Sequence, residues 1–349
     1  MTVEFTEFGD TGMRVSRICF GTWAFGGEWG EQDLAANRAA VRKALDLGIN
    51  FFDTAQAYGF GAAERFLSQA LQPEIRTKRH ELILTTKGGL RQAGDQLVRD
   101  SSRAALRRDL ESSLRALGTD YVDLYLIHWP DPKTPMADVA ATLGEFVAEG
   151  KVRFVGGSNF SLSQIEAFEE VRRLDGIQPP YHLFRREIEA DILPYCQQHR
   201  IGVQVYGPLA HGLLTGRHTP TTTFPANDWR SKSDIFRGDP FKRNLEVVGQ
   251  LLQFARQLNC TLPQLAVAWV LAHPAVTSAI VGALDPAQIA DTAAGAALHL
   301  SSDELQAIDR VMRAAVPVGG PSPEGTFTTD LEPQVLSHQR GKVGLSAPI

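Results

Sequence analysis

Asn50-Phe51-Phe52-Asp53-Thr54-Ala55-Gln56-Ala57-Tyr58-Gly59 is an apolar run that stops at an acid and then presents a tyrosine. Two later segments repeat the design, Leu84-Thr85-Thr86-Lys87-Gly88-Gly89 and Leu124-Tyr125-Leu126-Ile127-His128-Trp129-Pro130-Asp131. In each, a short strand-like run of β-branched and aliphatic residues ends at one ionisable side chain. Asp53, Tyr58, Lys87 and His128 are therefore delivered by strand ends, the geometry a parallel barrel uses to aim groups at one point. The pattern predicts an enzyme.

Working outward, strands and helices alternate along most of the chain. A hairpin turning at Gly9-Asp10-Thr11-Gly12 leads to a first barrel strand at Arg17–Trp23. A helix over Asp33–Leu47 precedes the second strand, Ile49–Asp53, and a helix over Ala62–Leu71 precedes the third, Leu82–Thr86. Ser101 or Ser102 can cap a helix whose Leu106, Leu110, Leu114 and Leu117 recur at helical spacing until Gly118. The fourth and fifth strands are Tyr121–Ile127 and Val152–Gly157, followed by helices over Met136–Glu149 and Leu162–Leu174. A short sixth strand at Gly176–Gln178, a helix over Ile188–His199, and strands at Gly202–Tyr206 and Ser278–Val281 complete the series. The last helix is expected to open at Pro286.

Eight strands, each followed by a helical pattern, predict an α/β fold: a parallel (β/α)8 TIM barrel with an N-terminal hairpin. A doubly wound Rossmann sheet is the main rival, weakened because no Gly-x-Gly-x-x-Gly follows an early strand. The whole chain, 1–349, is expected to form a single domain with its core at about 6–315. Residues 211–240, rich in Thr, Pro, Asp and Arg, read as a long loop after strand seven, and 316–349 as an extended tail.

Composition narrows the function classes. The 349 residues are 43% apolar and 21% charged, with a net charge of −5 and both signs interspersed. There is no basic stripe to suggest nucleic acid and no acidic arm. Met1–Glu7 lacks the basic flank and apolar core of a signal peptide, and no apolar run approaches a bilayer's span. Cys19, Cys196 and Cys260 form no Cys-x-x-Cys pair and suit a reducing cytoplasm.

The motifs Phe52-Asp53-Thr54-Ala55-x-x-Tyr58-Gly59, Thr86-Lys87, Leu126-Ile127-His128-Trp129-Pro130, Gly157-Ser158-Asn159-Phe160 and Gln178-x-x-Tyr181 resemble the aldo-keto reductase superfamily. Tyr206-Gly207-Pro208-Leu209-Ala210-His211-Gly212-Leu213-Leu214-Thr215-Gly216 resembles its bacterial sugar-reductase and potassium-channel β-subunit branch. The match runs from about Thr6 to Val311, with the motifs in family order. Singly, Asp53 could cap a loop, Lys87 could be a solvated loop residue, and His128 a satisfied strand-end histidine. At successive strand ends within these motifs they read as a catalytic tetrad with Tyr58.

The resemblance implies hydride transfer between NADP(H) or NAD(H) and an aldehyde, ketone or sugar. Tyr58 would be the general acid or base. Lys87 would favour its phenolate, Asp53 would hold Lys87, and His128 would polarise the substrate oxygen. It further implies Ser158, Asn159 and Gln178 on the nicotinamide carboxamide and Tyr206 under the ring. Gly207, Leu209 and Gly212 would lie at the pyrophosphate, with Thr22, Trp23, Asp53, Gly282, Ala283, Gln288 and Thr292 elsewhere on the cofactor. Trp23, Phe25, Trp29 and Trp129 are the expected aromatic wall of the substrate pocket. A non-catalytic regulatory subunit is the alternative function. A metal-dependent hydrolase or lyase is disfavoured, since the nine histidines show no ligand spacing, and no metal is expected. The sequence does not give the oligomeric state.

One local departure concerns the dinucleotide. Relatives preferring NADPH usually carry a base after the eighth strand, but Val281–Thr292 contains none. A free Asp285 together with Gln288 is expected to receive a ribose hydroxyl instead, weakening the preference for NADPH unless a loop arginine, such as Arg217 or Arg237, reaches in to restore it.

Overall fold

The computed structural model describes residues 3–27, 33–93, 96–226 and 228–318. Eight strands lie side by side and close on themselves: β1 (Ile18–Gly21), β2 (Phe51–Asp53), β3 (Ile83–Gly88), β4 (Val122–Ile127), β5 (Val152–Ser158), β6 (Gly176–Gln178), β7 (Gly202–Val205) and β8 (Ser278–Gly282). Neighbours pair in parallel around the ring, which is sealed where β8 meets β1, with Ala279 opposite Ile18 and Gly282 opposite Gly21. Strands covered on both faces are continuously apolar rather than alternating, so β3 and β4 are buried along their whole length.

Helices surround the ring: α1 (Leu34–Asp46), α2 (Ala62–Ala70), α3 (Gln72–Thr77), α4 (Arg103–Leu117), α5 (Met136–Ala148), α6 (Leu162–Glu169), α7 (Ile192–His199), α8 (Gly238–Gln257), α9 (Leu262–Ala272), α10 (Pro286–Ala294) and α11 (Ser302–Met312). Their starts follow local chemistry. Asp33 accepts from Ala35 N and Ala36 N at the head of α1, and Ser102 caps α4. Ser161, Thr261 and Ser301 each form a reciprocal capping box.

The fold departs from the sequence reading in several places. The helix expected over Ile188–His199 is split, because the Asp191 carboxylate accepts from Ile192 N at 2.6 Å and starts α7 there. The helix expected to reach Leu174 stops at Glu169, since Leu174 is wholly buried and Asp175 accepts from Val155 N as the chain enters β6. Four helices, α3, α8, α9 and α11, are absent from the sequence expectations; α9 is buried nearly all round and so shows no amphipathic period. A second hairpin, Leu90–Ala93 with Gln96–Arg99, follows β3. The insertion after β7 is a set of 3-10 turns at Ala210–Thr215, Trp229–Lys232 and Asp234–Phe236, and it ends where α8 begins. Of the expected tail, Val316 is held by Asn244 of α8, and Val318 N donates to Phe184 O. Residues 319–349 lie outside the described residues.

The N-terminal hairpin, Phe5–Glu7 with Arg14–Ser16, closes the bottom of the barrel. Phe8 is fully buried there, edge-on to Phe51 with centroids 5.7 Å apart. A Cβ at Gly202 would come within 2.4 Å of the Phe8 ring and one at Gly176 within 2.8 Å. The glycines that begin β6 and β7 therefore make the room into which the plug fits. Met13 and Val15 of the same hairpin join Phe8 in a cluster with Cys19, Phe51, Ile83, Leu124, Leu126 and Ile280 of the barrel strands. One end is thus shut, and the site lies at the other.

A buried acid steadies the top of β3. Asp109 on α4 accepts from Gly89 N at 2.9 Å, and burial pushes its carboxyl up to about 6. In the unfolded chain it titrates near 4. Between those values the folded state keeps a proton that the unfolded state has lost, so stability falls as pH rises through the window. Asp109→Asn keeps the acceptor and removes the titration. It is expected to raise stability at pH 7.5 by about 1–3 kcal/mol, the gain vanishing by pH 4. Urea midpoints at both pH values test this; a gain independent of pH would contradict it.

Candidate active site

Asp53 ends β2, Lys87 lies near the end of β3, His128 follows β4, and Tyr58 stands in the turn between β2 and α2. The structure brings all four together. Lys87 Nζ donates to Asp53 Oδ1 at 2.7 Å, to Thr54 O at 2.9 Å and to the Tyr58 hydroxyl at 3.3 Å. An ammonium has three N–H donors, and these three acceptors use them all. Lys87 is fully buried, with Nζ 4.9 Å from the Tyr58 ring centre. His128 meets Tyr58 edge-on at 5.5 Å.

Electrostatics follow from burial. Desolvation pushes the Asp53 carboxyl up, and Lys87 and the Gln178 amide oppose that shift. Burial, then the nearby Lys87 ammonium, hold His128 well below its usual value, so its imidazole is neutral. His128 Nδ1 has no hydrogen-bond partner among the described residues. The turn carrying Tyr58 depends on Gly59, which sits at φ 59°; a Cβ there would come within 2.8 Å of Gly26 O.

The next group lies on β5, β6 and just past β7. Ser158 Oγ donates to Gln178 O at 2.9 Å. Asn159, in the left-handed region at φ 61°, donates to His128 O and Ser158 Oγ and accepts from the Tyr206 hydroxyl. Gln178 Nε2 donates to Asp53 Oδ2 at 2.8 Å, which ties this group to the tetrad. Thr22 is buried, its hydroxyl donating to Asp53 O. Gly207 and Gly212 both adopt positive φ in a turn flanked by His182, His211, His218 and Arg230, and Leu209 is half-buried between them.

The expected aromatic wall is only partly assembled. Trp23 stacks on Trp229 at 6.2 Å and meets His211 edge-on. Phe25 is not part of a wall: the Trp23–Gly26 turn points it into the core, 4.7 Å from Phe66 and 6.1 Å from Phe20. Trp129 is mostly buried beneath the Arg99 guanidinium. Trp29 lies outside the described residues. Trp229, His211, Arg230 and Gln204 escaped the sequence reading. The first three come from the irregular insertion, where no period marks an inward face; Gln204 alone had a signal, as an amide within an apolar strand.

Gly282, the last residue of β8, is exposed, and Ala283 after it is buried. Asp285 is not free, contrary to expectation. Its Oδ1 accepts from Ala287 N and Gln288 N at the head of α10, and its Oδ2 accepts from Gln288 Nε2 at 2.7 Å. Gln288 Oε1 in turn accepts from Leu284 N, and Thr292 Oγ1 donates to Gln288 O. Among the described residues, no cluster of three or more His, Cys, Asp or Glu side chains is placed to hold a metal ion, and no helix is long and apolar enough to cross a membrane.

Comparison with known proteins agrees with this geometry. The aldo/keto reductase family model matches residues 17–313. Aldo-keto reductase YhdN of Bacillus subtilis (strain 168) is 40% identical over 321 residues, covering 91% of this chain and 96% of the relative. The NADH-specific methylglyoxal reductase of Escherichia coli (strain K12) is 34% identical over 309 residues, covering 84% and 93%. Among solved structures, the glycerol dehydrogenase AKR11B4 from Gluconobacter oxydans superposes with a TM-score of 0.81 at 37% identity, covering 92% of this chain and 98% of that one. A closed parallel barrel, a buried lysine joining an acid to a phenol at its open end, and a match spanning nearly all the strands lead to one assignment: the chain belongs to the aldo/keto reductase family and is an NAD(P)(H)-dependent carbonyl oxidoreductase.

Proposed function

We propose that Tyr58 is the proton donor in carbonyl reduction, with Lys87, Asp53 and His128 as its supporting groups. The observation that carries this is the buried Lys87 ammonium shared between the Asp53 carboxylate and the Tyr58 hydroxyl. A bound nicotinamide supplies the hydride. The carbonyl oxygen gains charge as its carbon accepts that hydride, and Tyr58 delivers the proton that neutralises it. Lys87 favours the phenolate left behind. Neutral His128 donates a hydrogen bond to the substrate oxygen and fixes its direction. In oxidation Tyr58 takes the proton back. Steady-state assays on a panel of aldehydes, ketones, sugars and polyols with both cofactors test the reading.

The residues present fit a nicotinamide dinucleotide. With both N–H groups of Gln178 engaged, its carbonyl Oε1 is the atom able to accept from a carboxamide. Tyr206, half-buried and anchored through its hydroxyl to Asn159, offers a ring face for stacking. At Gly212 the missing side chain leaves the backbone open beside Arg230 and His218, a setting for pyrophosphate. The substrate side is the Trp23, Trp229 and His211 cluster, and short aldehydes, ketones or polyols are the substrate class favoured. The similarity to a glycerol dehydrogenase and a methylglyoxal reductase supports that size. Cytoplasmic residence belongs to the same reading, being where free thiols such as Cys19, Cys196 and Cys260 persist.

For the dinucleotide we favour NAD(H). The Asp285 carboxylate occupies the N-terminus of α10, the place where a 2′-phosphate would gain most from free N–H groups. Arg237 Nε donates to Ser233 O within its own loop; Arg237 and Arg217 are the loop bases whose reach to the phosphate would carry the competing reading. The NADH-specific relative is consistent with this choice. Leu284→Arg is expected to tighten NADPH by about ten- to a hundredfold while leaving NADH nearly unchanged, as one charge-assisted hydrogen bond should. Fluorescence titration measures both. A wild-type protein that already binds NADPH a hundredfold tighter than NADH would defeat the argument.

A further inference from the structure

We propose that Gln204, inside β7, is a positioning residue for this active site, acting through Gln178 on Asp53 and on the atom that receives the cofactor. The inference rests on the reading above and extends it to a residue below the tetrad.

The interior in which Gln204 lies is apolar, filled by Phe51, Ile83, Leu124, Leu126 and Ile280. Gln204 is fully buried. An amide in such surroundings is unfavourable unless its polar atoms are bonded, and here both ends are. Gln204 Nε2 donates to Cys19 Sγ at 3.0 Å, and its Oε1 accepts from Gln178 Nε2 at 3.0 Å. Burial holds the Cys19 thiol neutral, and its sulfur is a weak acceptor for that N–H. The orientation is set from the other end: the Asp53 carboxylate can only accept, so Gln178 presents Nε2 to it and Gln204 meets the second N–H with Oε1.

Gln204 supplies the second acceptor that completes the hold on Gln178. Gln178 Nε2 carries two N–H groups, one spent on Gln204 Oε1 and the other on Asp53 Oδ2. The carbonyl of Gln178 is thereby turned away from both and left for a ligand. The same amide is one of the groups that keep Asp53 charged against the effect of burial. A hydrogen-bonded chain thus runs from Cys19 on β1 through Gln204, Gln178, Asp53 and Lys87 to Tyr58. It links the floor of the site to the proton donor. Without Gln204, one N–H of Gln178 loses its acceptor, and the amide is held by Asp53 alone.

Two variants test this. In Gln204→Leu, Gln178 keeps only its bond to Asp53, and both the Kd for NADH and kcat should worsen about tenfold, the loss expected for one buried hydrogen bond. Gln204→Glu keeps the shape. As a neutral acid it accepts from Gln178 and donates to Cys19. As an anion it adds negative charge close to Asp53, Lys87, Tyr58 and the Cys19 thiol, which raises the phenol's pKa and weakens it as an acid. The ratio of its kcat to that of wild type should be near one at low pH and fall as pH rises through an ionisation absent from wild type. A merely structural loss would lower Tm without creating that ionisation. If the Leu variant does not fold, the Glu variant decides. Wild-type Kd and kcat in the Leu variant, or a constant kcat ratio across pH in the Glu variant, would overturn the proposal. If Tyr58→Phe is inactive while the Gln204 variants behave as wild type, only this inference fails; an active Tyr58→Phe removes the reading beneath it.

Discussion

Replacing Tyr58 with phenylalanine is expected to lower turnover by roughly 10²–10⁴ while leaving cofactor binding intact. The substitution removes one hydroxyl and nothing else. The ring keeps its edge-on contact with His128 and its place over Lys87. Lys87 keeps the Asp53 carboxylate and the Thr54 carbonyl as partners, so the buried charge remains compensated. Lys87 is committed to Asp53 and Thr54, and His128 is a poor substitute. Burial and Lys87 hold His128 neutral, and a neutral imidazole is a far weaker acid than a lysine-assisted phenol. Steady-state turnover alongside an NADH fluorescence titration provides the check. Turnover close to wild type would remove Tyr58 from the chemistry.

Lys87→Met should damage both activity and stability. Turnover falls by a factor comparable to that of Tyr58→Phe, because the phenol loses the cation that tunes it. The fold also loses about 3–5 kcal/mol, since Asp53 stays buried without its counter-ion. Burial already pushes Asp53 up, and without Lys87 it is pushed further. The folded variant therefore prefers the protonated acid. Relative to wild type, its stability deficit is largest at neutral pH and shrinks as pH falls towards the carboxylate's unfolded value. Asp53→Asn combined with Lys87→Met should restore much of the stability and none of the turnover. Urea unfolding at pH 5 and pH 8 distinguishes this from simple loss of packing, which would give the same deficit at both.

Strand ends are legible in this sequence because a strand buried on both faces is an unbroken apolar run. The residue that breaks the run is then the one facing the mouth, and Asp53, Lys87 and His128 stand out for that reason. Contacts between elements distant in sequence are not legible in the same way. Gln178 meets Asp53, and Gln204 meets Cys19, only because the ring closes. Phe25 read as a pocket wall because it neighbours Trp23, yet a 3-10 turn sends the two rings in different directions. Asp285 read as free although Asp before Pro is a helix-start signal; its carboxylate is consumed by the cap of α10. The Trp229 and His211 contacts were hidden because the insertion has no period from which an inward face can be counted.

The seam between β8 and β1 also sets when a newly made chain can become an enzyme. Ile18 pairs with Ala279 and Gly21 with Gly282, so the first strand waits for the last while almost everything between them is synthesised. At about 5–20 residues per second that wait lasts tens of seconds. Until then the nascent sheet is an open crescent whose outer strands present unpaired N–H and C=O groups, the template on which another chain can add. Non-local pairings of this kind are also slow to form once the residues are available. The interval is the one in which aggregation or chaperone capture competes with closure, and a chain interrupted before Ser278 has no strand with which to end it.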